Sequence, residues 1–174
     1  GIKKIEEAGI AVTTGVLEQE GRFLNRRFFT YMEQQRPYII LKWAQTRDGF
    51  MDIDRTDNTR KSYWITNPKL KCEVHKWRTE EAAIMVGTQT VINDNPMLTT
   101  RLWSGNNPIR ISIDRSGRIP ATANILDKST PTIIYTENKN LQSSNNLQYV
   151  LINFDNMLNE ILTDLWNRKI QSVI

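Results

Sequence analysis

Lys42 is the residue whose setting most strongly implies chemistry. It stands inside a run from Tyr38 to Ala44 that is otherwise almost uniformly apolar. An ammonium carried into apolar surroundings is expensive unless a polar or anionic group meets it, so such a lysine reads as one that positions a polar ligand or moves a proton. The competing reading is a lysine that snorkels from an edge strand. Arg78 and Arg101 each lie just beyond the end of an expected element, where a guanidinium can reach a phosphate or a planar polar base. The competing reading for each is an ordinary surface arginine. Gly87 closes an apolar stretch, and without a side chain it lets backbone approach a phosphate, although no glycine-rich dinucleotide fingerprint surrounds it. The sequence holds one histidine, His75, and one cysteine, Cys72. That leaves no internal disulfide and too few ligands for a cysteine- or histidine-rich metal centre, so no metal is expected. Both residues read as solvated positions on a helix, His75 because it lies off the apolar stripe of its segment.

The elements that must hold these side chains follow from periodicity. The run 38–44 suits a central strand buried on both faces, ended by the turn signal Asp48-Gly49. Thr66 or Asn67 caps a helix over 68–78 with Pro68 in its first turn, and Leu70, Val74 and Trp77 form its apolar stripe. Residues 82–86 read as the next strand, 88–95 as a single helical turn, and 109–114, 132–135 and 149–152 as three further strands. A helix over about 156–168 carries Leu158, Ile161, Leu162, Leu165 and Trp166 on its inner face. Val173 and Ile174 open another strand, and an unpartnered apolar edge there predicts that more chain follows. Ahead of all this, residues 1–35 read as a lead-in with two amphipathic helices. Strands alternating with helices predict an α/β fold with a mostly parallel sheet covered on both faces. Ligands in such sheets bind at the carboxyl ends of the strands, here residues 44–49, 87–90 and 114–117.

Several segments, in order, resemble the reductase half of the bifunctional riboflavin-biosynthesis deaminase–reductase, a family of the dihydrofolate-reductase fold. They are Arg36-Pro37-Tyr38 with Lys42, Ala44, Thr46 and Asp48-Gly49; Ser62, Trp64-Ile65-Thr66; Val74-His75 through Arg78; and Val86-Gly87, Thr90-Val91, Asp94, Pro96, Leu98-Thr99 and Arg101. Pro108, Arg110 and Asp114 continue the match to about residue 118. The resemblance implies a three-layer domain over 36–174 with its C-terminal part missing, and makes 1–35 the connection from a preceding deaminase half. The deaminase zinc motifs themselves are absent. It further implies NADPH-dependent reduction of 5-amino-6-(5-phosphoribosylamino)uracil to the ribitylamino product, by an enzyme that is a homodimer. Lys42 would be catalytic, with Ser62, Arg78, Leu98 and Arg101 against the substrate and Ala44, Trp64, Thr90, Asp94 and Arg115 beside NADPH. Arg115 stands where the family tends to have serine, and its charge suits the 2′-phosphate of the cofactor. Two other readings stand beside this one: a pterin-type reductase of the same fold, and a catalytically silent nucleotide-binding module.

Composition narrows the field in the same direction. The 174 residues suffice for one domain, with a net charge of +4 and a pI near 9.3. The basic residues are scattered from Lys3 to Lys169 among acidic ones, which argues against a nucleic-acid footprint and suits anionic small molecules. No apolar run approaches the ~20 residues of a membrane span, and the N-terminus lacks the continuous apolar stretch of an export signal. A cytoplasmic location is expected.

Overall fold

The computed structural model describes residues 1–53 and 63–174. Three short helices come first: α1 (Ile2–Glu7), α2 (Glu18–Leu24) and α3 (Arg26–Gln34). The second amphipathic segment is therefore split at Asn25, whose side chain donates to the Gly21 carbonyl at 2.9 Å. Strand β1 (Tyr38–Ile39) leads to α4 (Pro68–Glu80), β2 (Ala83–Gly87) and α5 (Thr88–Asp94). Strands β3 (Ile109–Ile113), β4 (Thr132–Thr136) and β5 (Leu147–Leu151), helix α6 (Met157–Asn167) and strand β6 (Ser172–Val173) complete the chain. All pairings among these strands are parallel, in the order β1-β6-β2-β3-β4-β5.

Two core clusters lie on opposite faces of the sheet, as alternation of side chains along a strand requires. One joins Ile111, Ile133 and Tyr135 to Ile161 and Leu165 of α6. The other joins Ile84 to Val91 of α5, Leu98 and Ile125. The helices thus form outer layers around a central sheet, the three-layer α/β arrangement expected from the sequence. β4 is buried along its whole length, the signature of a strand covered on both sides.

The structure corrects several local expectations. The run 38–44 is not a central strand: only Tyr38 and Ile39 pair, at the edge of the sheet, and Leu41 and Trp43 are exposed. Val173 is no raw edge either. β6 inserts between β1 and β2, with Tyr38 opposite Ser172 and Ala83 opposite Val173. The sheet neighbours of β2 are therefore β6 and β3, and β1 never meets β2. On α4 the apolar stripe is not the buried one, for Leu70 remains 48% exposed while His75 is buried at 1%. Leu158 likewise points outward, leaving Ile161 and Leu165 as the buried contacts of α6. Residues 88–94 make a longer helix than the single turn expected.

Candidate active site

Lys42 follows β1 into a groove of about 620 Å³ bounded by Tyr38, Ile40, Trp43, Leu70, Val74 and Trp77. The apolar stripe of α4 faces this groove rather than the core, which explains its partial exposure. Lys42 is itself exposed, so it is not the fully desolvated strand lysine that the sequence suggested. Protein packed around its ammonium still lowers its pKa, and the charge of Arg78 adds to the effect. After Lys42 the chain turns sharply at 46–50. The Thr46 amide donates to the Phe50 carbonyl at 2.8 Å, and Gly49 adopts φ +91°, a conformation glycine reaches without a steric penalty.

Arg78 lies in the last turn of α4, a helix begun by Asn67, whose side chain accepts from the Leu70 amide at 3.0 Å. Its Nη1 donates to the Thr99 carbonyl at 2.8 Å. Burial, and then the charge of Arg101, depress its pKa to about 10. The segment that receives it is strained: Leu98 is 3% exposed and holds φ +55°, a left-handed conformation that costs a non-glycine residue about 1 kcal/mol or more. The buried side chain of Leu98, together with Thr100 bonded to Asn107, keeps it there. Arg78 thereby stands within electrostatic reach of both Lys42 and Arg101, making a cationic group, while the side chain of Leu98 turns into the core with Ile84, Val91 and Ile125.

The remaining candidates follow the carboxyl ends of the next strands. Gly87 ends β2, and a side chain placed there would meet open space; its φ of −74° makes no demand for glycine. Thr90 is exposed on α5 and Asp94 is partly buried at its end, engaged in an interaction of its own. Arg115 follows β3 in a tight loop. Asp114 accepts from the Arg118 and Ile119 amides at 2.9 and 2.8 Å, and Gly117 has φ +81° with no room for a Cβ beside Asn138. Arg115 is exposed but committed, its Nε donating to Glu137 at 2.8 Å and its guanidinium lying 5.3 Å from the Phe154 ring centroid. Ala44 is half-buried, and Trp64 is 47% exposed with Lys71 Nζ 4.1 Å from its ring centroid. Ser62 lies outside the described residues.

The structure therefore brings Lys42, Arg78 and Arg101 together, leaves the Leu98 side chain in the core, and sets Thr90 and Arg115 after the carboxyl ends of the adjacent strands β2 and β3. β1 and β3 are three strand positions apart, about 14 Å across the sheet. Missed by sequence reasoning is His75, the one buried residue of α4. A signal for it existed. Lys71, His75 and Arg78 form an i, i+4, i+7 stripe one residue ahead of Leu70, Val74 and Trp77, and so share a helix face. Among the described residues no group of His, Cys, Asp and Glu side chains is arranged to hold a metal ion, and Cys72 is exposed.

Residues 37–174 match the family described as the RibD C-terminal domain. The chain belongs to the RibD C-terminal domain family. Among curated relatives, the riboflavin biosynthesis protein RibD of Aquifex aeolicus is 43% identical over 142 residues, covering 80% of this chain and 39% of that protein. RibD of Bacillus amyloliquefaciens is 39% identical over 138 residues, covering 78% of this chain and 36% of that protein. Among solved structures, a diaminohydroxyphosphoribosylaminopyrimidine deaminase/5-amino-6-(5-phosphoribosylamino)uracil reductase from Thermotoga maritima superposes with a TM-score of 0.87 at 36% identity, covering 99% of this chain and 48% of that one. Acinetobacter baumannii RibD gives 0.75 at 25% identity, with the same coverage of each chain. The chain thus spans less than half the length of these relatives. The matched residues begin at 37, just after α3, so α1 to α3 lie ahead of the part that defines this RibD domain.

Proposed function

We propose that this chain is the reductase domain of a riboflavin-pathway enzyme and that it reduces 5-amino-6-(5-phosphoribosylamino)uracil to the ribitylamino product with NADPH. The observation that carries the reading is the likeness over 99% of the chain to a protein described as that reductase, at 36% identity. The local chemistry agrees. A phosphate-bearing pyrimidine needs cations and planar donors; Lys42 lines a groove of suitable size, and Arg78, with Arg101 beside it, stands within electrostatic reach of Lys42.

For the cofactor, the open space beside Gly87 and the adjoining Thr90 and Arg115 lie at the carboxyl ends of the interior strands β2 and β3, the end of an open α/β sheet where dinucleotides bind. When bound, NADPH supplies the hydride that reduces C1′ of the ring-opened ribosyl group. The protein's share is orientation and charge. Arg78 and Arg101 hold the phosphoribosyl end. Lys42, its pKa lowered, is poised to place a proton or a positive field at the reacting nitrogen, and Leu98, fixed in its strained conformation, shapes the pyrimidine side. Arg115 exchanges Glu137 for the 2′-phosphate. Ala44, Trp64 and Asp94 border the nicotinamide side, and Ser62 contacts the substrate.

Residues 1–35 are the connection from a deaminase half, the reductase works as a homodimer, and the location is cytoplasmic. Exposed Phe23, Leu24, Phe28 and Met32 on α2 and α3 supply apolar area for a neighbouring domain. The test is NADPH oxidation by the full-length protein with and without the phosphoribosylamino-pyrimidine. Oxidation that requires the pyrimidine supports the reading; cofactor binding without turnover would make this a silent module.

A further inference from the structure

Three buried side-chain nitrogens lack a hydrogen-bond partner among the described residues, and all three lie within one turn of α4: Nδ1 and Nε2 of His75 and Nε of Arg78. A buried polar atom without a partner is destabilising and rare enough to require a reason. His75 is the sharper case, since the residue is 1% exposed and an apolar side chain of similar size would fill the same space without the penalty. The surroundings make the imidazole's position odder still. Among the described residues every charged group acting on it is a cation: Arg78 and Lys71 from its own helix and Arg101 from the segment packed against that helix. Among the described residues only the Thr99 backbone favours the charged ring, and the Thr99 carbonyl also accepts from Arg78. The ring is therefore neutral, with one N–H to give and, among the described residues, no acceptor in full hydrogen-bond geometry beyond the weak approach of the Thr99 backbone.

Neutral donor and cations together describe a cradle for an anion. Burial and then the charge of Arg101 disfavour the charged state of Arg78 in the absence of a counter-charge, and an anion between the two guanidiniums would relieve it. We propose that His75 is the neutral positioning residue behind the Arg78–Arg101 subsite, giving its N–H to the Thr99 segment that also holds Arg78, and so fixing the grip on the phosphate-bearing end of the substrate. This rests on the reading of Arg78 and Arg101 as substrate contacts and adds a residue which that reading does not contain. The imidazole is retained at the expense of stability because the bound state uses it.

The test measures stability and steady-state kinetics of the full-length protein with His75→Leu and His75→Asn. Leucine removes the unpartnered nitrogens and keeps an apolar side chain of similar volume, while asparagine keeps a neutral N–H donor. His75→Leu should leave the melting temperature unchanged or raise it, and raise KM for the phosphorylated substrate ~10-fold, the scale of one lost hydrogen bond to a charged group. Turnover and KM for NADPH should stay within about twofold, and His75→Asn should recover most of the substrate KM. Opposite movement of stability and affinity is the signature that a packing role would not give. A wild-type KM in His75→Leu would overturn the proposal, as would a lowered melting temperature with both KM values raised together. If the leucine variant does not fold, packing is the role of His75 and the proposal fails. Absence of turnover in the unsubstituted protein would instead defeat the functional reading itself, so the two failures are told apart.

Discussion

At the scale of single residues, position in the fold decides what each candidate can do. Lys42 sits on an exposed edge segment, so Lys42→Met should leave folding intact, because the stem still packs along the groove. Turnover in the full-length enzyme should fall ~100-fold or more with little change in NADPH binding, the scale for losing a positioned proton donor or charge. Unchanged turnover in the folded variant would reduce Lys42 to a snorkelling residue. Arg115 offers a second measurement. Its guanidinium holds the Glu137 carboxyl below its ordinary pKa, so a cofactor phosphate must displace that carboxylate. Glu137→Gln should therefore sharpen the preference for NADPH over NADH, and Arg115→Ala should weaken it, read by titrating both cofactors against each variant. Equal affinities throughout would remove Arg115 from the cofactor site. The residue types at these positions were legible in the sequence, but the ion pair that restrains Arg115 was not, because Glu137 reaches it only across paired strands.

At the scale of elements, the buried polar work is done between β3 and its neighbours. Arg110 is fully buried and donates to Thr132 Oγ1 at 2.9 Å, to Asp127 Oδ1 at 2.7 Å and to the Thr130 carbonyl at 3.0 Å. A buried guanidinium without its carboxylate is left partly uncompensated, so Asp127→Ala should lower stability by about 2 kcal/mol, reduced from the full buried-pair range because Asp127 is one-third exposed. Adding Arg110→Met should recover much of that loss in urea melts, since an apolar side chain needs no counter-charge. A larger loss in the double variant would show that the backbone contacts, not the charge pair, matter most. Most elements could be read from periodicity: the helix from Pro68 and the strands from Ala83, Ile109 and Thr132 all form. The misreading of 38–44 has a physical cause. An apolar run signals burial, but it cannot say whether a sheet or a groove does the burying, and Leu41 and Trp43 are left facing outward.

At the scale of the whole molecule, acid should act on stability in two steps. Burial, then the charge of Arg78, depress the His75 pKa to about 4, below the ordinary 6.5. The unfolded chain therefore binds a proton between these values that the folded chain refuses. Stability should rise as pH increases from about 4 to 6.5, by on the order of 3 kcal/mol, and be level in this respect above that. Glu81 and Asp127 act lower. Arg27 holds the Glu81 carboxyl below its ordinary pKa against the opposing effect of burial, as Arg110 does for Asp127. Their contribution is present above the unfolded carboxylate pKa and is lost as pH falls through the depressed folded value. Denaturation midpoints against pH, with His75→Leu flattening only the upper window, would check the assignment; a slope unaffected by that substitution would refute it. The sequence displayed His75 off the apolar stripe but on one face with Lys71 and Arg78, and it is the packing of 98–101 against that face of α4 that buries it.

The central place of β6 has a consequence for how the domain comes into being. Among the described residues β1 finds its partner only in β6, which is also the strand on the other side of β2 from β3. During synthesis β2 to β5 can zip together in order, each beside its predecessor, while Tyr38 and Ile39 wait for Ser172 and Val173. Closing so long a loop is slow relative to local pairing. A ribosome-bound chain stopped before residue 170 should hold β2–β5 protected from hydrogen exchange with β1 still open. β6 is the latch that closes β1, the earliest strand in the sequence, onto the sheet.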